Sequence, residues 1–493
     1  MIKLNDIINL QKSIKKHKKL NKKIVLAHGV FDILHIGHIK YFKKAKSLGD
    51  ILIVSITSDE FVNKGPGKPY FNQNLRAEFI ENISCVDYVV INNSETSENI
   101  IDRLKPDIYV KGQDYKKLIN TDKNLIKEIS ILKKNNGQII IINENLFSSS
   151  KIINENFNYN KRDHIPIINK LKKRNFEKDI SELKNKKVIV IGDEIIDEFT
   201  FVRSLGKSRK NNIISTRYLN KESQKGGALF IYENLKQYFK KCDFFSILSS
   251  KDLYSNHFNL NKNFSFKTEK NQLIFKNRFV DFYNNNKIFQ INVNDQLEIS
   301  DKERVKIASK LKKIIPKYDY LIICDFGHGI FKGPILKTIN NSKIKKIINC
   351  QTNSSNFGFN KFDKFTNASI LTCDEDEFRL SVGEESANIQ QLLKKNNFPY
   401  DEFVVTSGKN GCFLKKEELI YFVESFDIKN FVDSIGSGDV FFSYYVLSSM
   451  LKYSYPEKIL LSHLAAALHS QSFANREIVS FAKFLKSYKS ISS

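Results

Sequence analysis

From Ile24 to about Ile153 the chain alternates short apolar runs with amphipathic stretches. The runs KKIVLAHG, DILIVSIT, VDYVVI, PDIYVKG and GQIIIIN are rich in Ile and Val and predict strands. GHIKYFKKAKSLG, LRAEFIENI, SENIIDRLK and TDKNLIKEISILKKNNG lie between them and predict helices; in the first, Ile39, Phe42, Ala45 and Leu48 share one face. Repeated strand and helix predict a parallel sheet covered on both faces, which takes ligands at the carboxyl ends of its strands. Residues 154–185 are polar and charged with one short apolar patch, and read as a linker with room for a helix. KKVIVIGDEIIDEF then opens a second alternating region that runs to the C-terminus. Its strands include DYLIICDFG, KKIINCQT, SILTCDED and EFVVTSG; its helices include DKERVKIASKLKKII and a final set from DVFFSYYVLSSMLK onward. The pattern predicts two α/β domains, residues 1–153 and 186–493, joined by the segment 154–185.

Composition adds bounds. At 493 residues the chain is too long for one small core. No apolar run reaches the roughly 18 residues of a membrane span, and the basic N-terminus lacks the apolar region of a signal peptide. Six scattered cysteines without a C-x-x-C pair suggest reduced thiols and a cytoplasmic location. The net charge of +25 raises a nucleic-acid reading. The lysines are spread along the whole chain and no nucleic-acid motif accompanies them, so no nucleic-acid or membrane partner is expected. The charge still favours a small phosphate-bearing partner, for which a nucleotide suffices. A homodimer is left open.

HGVFDILHIGH places His28, His35 and His38 within eleven residues. Zinc is one reading, but no cysteine or acidic ligand accompanies them. Ordinary packing is another, and it is the default for a single histidine. The third is phosphate handling: Gly37 and His38 open a helix whose unpaired backbone N–H groups favour an anion, and His35 shares that turn. Donors fixed around the α-phosphate of a nucleoside triphosphate lower the barrier to its attack.

GVFDILHIGH resembles the G-x-F-D-x-x-H-x-G-H signature of the cytidylyltransferase-like nucleotidyltransferases. The resemblance implies a Rossmann-like HxGH domain with His35 and His38 as catalytic donors. It places Gly29, Phe31, Asp32 and Gly37 at the nucleotide. KPYFNQNLRAEFI then supplies Lys68 and Arg76 as phosphate contacts. VKGQDY resembles the VKGxDY element of the heptose-phosphate adenylyltransferase branch and implies roles for Lys111, Gly112 and Asp114. LFSSSKIIN resembles the helix start that holds the triphosphate, at Ser148, Ser149, Ser150 and Lys151.

In the second region KNFVDSIGSGDVFF sets a glycine turn at a helix start, an anion hole made of backbone N–H groups. Asp439 beside it is wrong for binding phosphate and right for taking a proton from a hydroxyl. This stretch resembles the D-T-x-G-A-G-D signature of ribokinase-like (PfkB) sugar kinases, with Asp439 at the catalytic base and Gly436, Ser437 and Gly438 at the nucleotide. VIVIGDEIIDEF implies sugar contacts at Asp193 and Asp197, and KGGALFIYEN at Gly226, Gly227 and Asn234. VVTSGKNGCFL implies nucleotide contacts at Thr406, Gly408 and Gly411. CDFGHGIF resembles the DYGKG element of heptose kinases, with Asp325 at substrate. Glu377 falls in the N-x-x-E magnesium motif, with Asp374 where that motif has asparagine. Phe230 and His328 stand where heptose kinases carry asparagine and lysine, which implies an altered substrate.

Together the resemblances imply a ribokinase-like α/β domain behind a nucleotidyltransferase domain. They imply sugar or sugar-phosphate phosphorylation with ATP and Mg²⁺, and transfer of a nucleotidyl group from ATP or CTP to a sugar 1-phosphate. The alternative keeps only nucleotidyl transfer, to an acceptor such as glycerol phosphate, beside a silent kinase-like domain.

Overall fold

Apolar alternation along the first strands decides where each helix packs. The computed structural model describes residues 7–62, 69–94, 96–115, 122–142, 164–208, 211–249, 266–268, 274–353, 356–428 and 431–492. The chain divides near residue 160 into two compact units. The first runs α1 (Ile7–Lys19), β1 (Ile24–Gly29), α2 (Ile36–Lys46), β2 (Ile51–Thr57), α3 (Gln73–Glu81), β3 (Tyr88–Asn92), α4 (Glu98–Leu104), β4 (Ile108–Gly112), α5 (Lys123–Lys134), β5 (Gln138–Ile142). Its sheet is parallel, in the order β3-β2-β1-β4-β5. Val25 and Ala27 face a core with Phe42 and Ala45 of α2 and Ala77 and Ile80 of α3. Ile24 and Leu26, one position out of phase, face Leu10 and Ile14 of α1, Ile100 and Ile101 of α4, and Leu132 of α5. The strand order reverses at β1, so a crevice opens beyond the carboxyl ends of β1 and β4. The histidine turn leaves β1 at that point.

The second unit runs α6 (His164–Leu171), α7 (Phe176–Leu183), β6 (Lys187–Gly192), β7 (Glu194–Lys207), β8 (Ile214–Gly226), α8 (Gly227–Lys236), β9 (Lys241–Phe245), β10 (Ile247–Ser249), β11 (Phe266–Thr268), β12 (Ile274–Asp281), β13 (Lys287–Val293). It continues α9 (Asp301–Ile314), β14 (Tyr320–Asp325), α10 (Gly333–Asn340), β15 (Lys345–Cys350), β16 (Ala368–Asp374), α11 (Glu375–Val382), α12 (Ile389–Lys395), β17 (Tyr400–Thr406), β18 (Cys412–Lys416), β19 (Leu419–Val423), α13 (Ser437–Ser449), α14 (Tyr455–His469), α15 (Phe481–Ile491). The main sheet has eight strands, β19-β18-β17-β16-β15-β14-β6-β9, parallel from β17 to β9. A separate four-stranded sheet, β13-β12-β7-β8, branches from it.

Two expectations change here. The stretch expected to be a linker folds from residue 164 onward as α6 and α7. Ile167, Ile168, Leu171, Ile180 and Leu183 recur at helical spacing among its lysines and are buried. The Phe176 ring lies 5.1 Å from Phe484 and 5.0 Å from Tyr488, so this segment is part of the second unit's core. VIVIGDEIIDEF also proves to be two strands. The chain leaves the main sheet after Gly192 and enters the small sheet at Glu194, which leaves Asp193 at the corner.

Candidate active sites

In the first unit His35 caps α2. Gly37 N–H donates to His35 Nδ1 (3.1 Å), and His35 N–H donates to His38 Nδ1 (3.3 Å). This is a capping box built from two imidazoles. A ring nitrogen that accepts carries no proton, so each imidazole holds its proton on Nε2. The rings lie 4.0 Å apart at the helix start. His28, on β1, faces β2: its Nδ1 lies 3.1 Å from Ser55 Oγ.

Phe31, Asp32 and Arg76, expected at the nucleotide, each make contacts within the unit. Phe31 turns inward at φ 47°, 5.0 Å from Phe42 and 5.7 Å from the His38 ring, and so backs the imidazole. The Asp32 carboxylate accepts the N–H groups of Tyr70 (2.7 Å) and Phe71 (2.9 Å). Arg76 is fully buried; it donates to the carbonyls of Val30, Thr57 (2.8 Å) and Phe71 (3.0 Å) and pairs with Asp59 (2.6 Å). It therefore ties the ends of β1 and β2 to the segment entering α3. A buried guanidinium so engaged has little left for a phosphate.

Lys111, expected at the nucleotide, lies buried 3.5 Å from Glu128, with its ammonium over the Tyr109 and Tyr115 rings. Burial opposes its charge; Tyr109, Tyr115 and Glu128 outweigh that and push its pKa up. Glu128 also accepts Ser97 N–H (2.9 Å) and the Tyr109 hydroxyl (3.0 Å). Gly29 and Gly112 end β1 and β4 at the crevice. Lys68, Ser148, Ser149, Ser150, Lys151 and the side chain of Asp114 lie outside the described residues.

In the second unit the carboxylates gather where strands end. Asp439 is in the first turn of α13 and accepts from Gln351 Nε2 (3.1 Å), just past β15. Burial, with the Asp197 carboxylate adding and Gln351 and Lys276 opposing, pushes its pKa up to about 7. Gly436 caps this helix at φ 79°, and a Cβ there would sit 1.8 Å from Asn475 Oδ1, so only glycine fits. The N–H of Ser437 is taken by Ser434 O (3.1 Å), while those of Gly438 and Asp439 have no acceptor among the described residues. Two amides among the described residues thus stand beside the Asp439 carboxylate. Asp439 and Gly438 line a cavity of about 190 Å³ with Gln351, Asp374, Glu377 and Thr406. Gly408 and Gly411 bound the exposed turn after β17.

Asp197 accepts from Arg278 and from Asn475 Nδ2 (3.3 Å). Its carboxylate lies over Gly226, where a Cβ would fall 2.2 Å from Oδ2. Gly227 begins α8 directly behind it. Asp193 is buried at the strand corner and accepts Phe326 N–H (2.9 Å). Burial and the nearby Asp325 carboxylate raise its pKa. Asp325 accepts Gly327 N–H (3.0 Å) and pairs with Lys364. Lys276 of β12, paired in register with Asp197, bears no motif and escapes sequence reasoning. It is half-buried with no ion pair or hydrogen bond among the described residues, and burial lowers its pKa although Asp197 and Asp439 oppose this.

Two further expectations are reassigned. Asn234 is fully buried, donating to Phe230 O (3.0 Å) and accepting Val479 N–H (3.3 Å), and so braces α8. Glu377 accepts Thr352 N–H (2.8 Å) and Asp374 N–H (2.7 Å), one on each oxygen. It clamps backbone, and among the described residues no group of three His, Cys, Asp or Glu could hold a metal ion.

Residues 26–155 match the family model Cytidylyltransferase-like, and residues 283–478 match the pfkB family carbohydrate kinase. The chain carries a cytidylyltransferase-like domain followed by a pfkB carbohydrate kinase domain. Over its N-terminal part it is 41% identical across 155 residues to a protein named Bifunctional protein HldE from Campylobacter jejuni (strain RM1221), covering 30% of this chain and 32% of that one. It is 42% identical across 135 residues to the protein of that name from Helicobacter pylori (strain J99), covering 27% and 29%. The chain thus spans about a quarter to a third of the length of the curated relatives it matches. A solved ribokinase from Thermotoga maritima is 17% identical with a TM-score of 0.46, covering 62% of this chain and 99% of that chain. No described helix is long and apolar enough to cross a membrane.

Proposed function

We propose that this chain makes an activated nucleotide sugar in two steps. The pfkB domain phosphorylates a heptose-like sugar or sugar phosphate at its anomeric hydroxyl, and the cytidylyltransferase-like domain couples the 1-phosphate group so formed to a nucleotidyl group, any other phosphate staying in place. In the first step Asp439 takes the hydroxyl proton as the oxygen attacks the γ-phosphorus of ATP, and ADP leaves. The amides of Gly438 and Asp439 face the charge that gathers there. In the second, a sugar phosphate oxygen attacks the α-phosphorus of ATP or CTP, and pyrophosphate leaves. His35 and His38 donate from Nε2 to the oxygens that gain charge.

The observation that carries this reading is the paired imidazole cap of α2, which sets two histidine rings 4.0 Å apart at a helix start where an anion is favoured. The kinase half rests on Asp439 beside free amides. Asp374 and Glu377, which line the 190 Å³ cavity of the pfkB domain, would hold a magnesium ion there. When bound with ATP it supplies neutralisation of phosphate charge.

The test is a panel of nucleoside triphosphates with sugar 1-phosphates, read by pyrophosphate release. One pairing exceeds the His38→Ala background by about two orders of magnitude or more. If none exceeds it, the assignment fails.

A further inference from the structure

The loop that follows β14 is tied down along its whole length. Phe326 N–H donates to Asp193 Oδ2 and Gly327 N–H to Asp325 Oδ1 (3.0 Å). Asn356 Nδ2 donates to Gly327 O (2.7 Å), and Leu297 N–H donates to His328 O (2.8 Å). Arg304 donates to the carbonyls of Gly329 (3.1 Å) and Ile330 (3.2 Å). This rigid strap presents one imidazole. His328 is 0% exposed, and its Nδ1 lies 2.7 Å from Asp295 O. A carbonyl oxygen only accepts, so Nδ1 holds the proton and Nε2 carries a lone pair. That Nε2 is buried and has no hydrogen-bond partner among the described residues. A buried polar atom left unpaired costs stability, so an open acceptor here calls for a donor.

The position gives the ligand's chemistry. The same strap closes around Asp193 and Asp325, the two carboxylates expected at the sugar, and Lys276, Asp295 and Asp325 are the charges that act on the imidazole. Burial, and then Lys276, keep the ring neutral, down to about 4, against the Asp295 carbonyl that opposes them. A neutral ring with an aimed lone pair accepts a hydrogen bond from a hydroxyl. It neither donates to a phosphate nor pairs with a carboxylate, as a lysine here would.

We infer that His328 is a specificity-determining residue of the kinase site, whose Nε2 accepts a hydrogen bond from a hydroxyl of the sugar substrate. This rests on the proposed kinase reading. It also predicts a substrate different from that of an enzyme with lysine in the strap: a free hydroxyl stands where that lysine would face an oxygen acceptor.

Calorimetric titration of the full chain with a panel of sugars and sugar phosphates, a heptose 7-phosphate among them, and, separately, ATP tests it, using the parent, His328→Gln and His328→Phe. Glutamine offers an acceptor oxygen; phenylalanine offers none. Sugar binding weakens about tenfold or more in His328→Phe and much less in His328→Gln, with ATP affinity unchanged. Equal sugar affinity in all three overturns the inference while the kinase reading stands. Absence of sugar binding to the parent overturns the kinase reading and the inference with it. Long-range ¹⁵N spectra of the histidine-labelled parent need no variant: the free protein shows His328 protonated on Nδ1, and sugar shifts Nε2. A proton on Nε2 in the free protein overturns the inference even if His328→Phe does not fold.

Discussion

Asp439 shows what a single residue costs and yields. Burial raises its pKa to about 7, so in the folded chain it holds a proton that an unfolded chain releases near pH 4. The folded state binds more protons across that interval, so this group's contribution to stability falls as pH rises from about 4 to about 7 and is level above. The lost stability is at most on the order of 4 kcal/mol. Asp439→Asn removes the penalty, so urea denaturation finds the variant's gain over the parent larger at pH 8 than at pH 5. As a base the same carboxylate works only when ionised. ADP formation per unit of enzyme and sugar therefore rises with pH through about 7 in the parent, and Asp439→Asn loses about two to four orders of magnitude. An unchanged rate in the variant removes Asp439 from the base role. Arg76 is the opposite case. With three carbonyls and Asp59 engaged, Arg76→Ala costs on the order of 3 kcal/mol or more in unfolding free energy. A variant that keeps its stability and loses only pyrophosphate release would make Arg76 a phosphate contact after all.

At the scale of elements, α2 joins stability to chemistry, because the residue that caps the helix is also a proposed donor. His35→Ala removes both functions and lowers stability by about 1 kcal/mol. His35→Ser restores a cap without the Nε2–H. Thermal melting recovers toward the parent while pyrophosphate release stays low; recovery of both would show that His35 serves the helix alone. The strands and helices around this site were legible in the chain, since their apolar alternation is strong and local. DILIVSIT is a short β-branched apolar run buried on both faces, with a helical stretch on each side. The roles of Phe31, Asp32 and Arg76 were not, because a motif names residues and not the direction they face. Arg76 beside a phosphate motif reads as a phosphate ligand until its carbonyl partners, from 5 to 46 positions away, are seen. The small sheet of the pfkB domain was missed for a related reason. Its pairings join β7 to β12 across some eighty residues, and no local pattern announces Lys276 opposite Asp197.

For the whole molecule the question is whether two sites on one chain form one sequence of reactions. Each lies at the carboxyl ends of a parallel sheet, and each is complete in its own unit for the groups described: paired imidazoles in one, base and free amides in the other. On the proposed reading their chemistry is ordered, because the kinase product would bear the phosphate that nucleotidyl transfer consumes, and the reverse order has no acceptor. Single variants of the full chain separate the steps. Asp439→Asn releases pyrophosphate from a ready-made sugar 1-phosphate but not from the unphosphorylated anomer. His38→Ala forms ADP from that anomer and little pyrophosphate. Neither variant alone converts the anomer to nucleotide sugar. Mixed in equal amounts they do, since a sugar 1-phosphate made by one molecule diffuses to another. If the mixture fails while each variant keeps its remaining activity, the kinase product is not what the first unit consumes, and the two domains serve separate reactions.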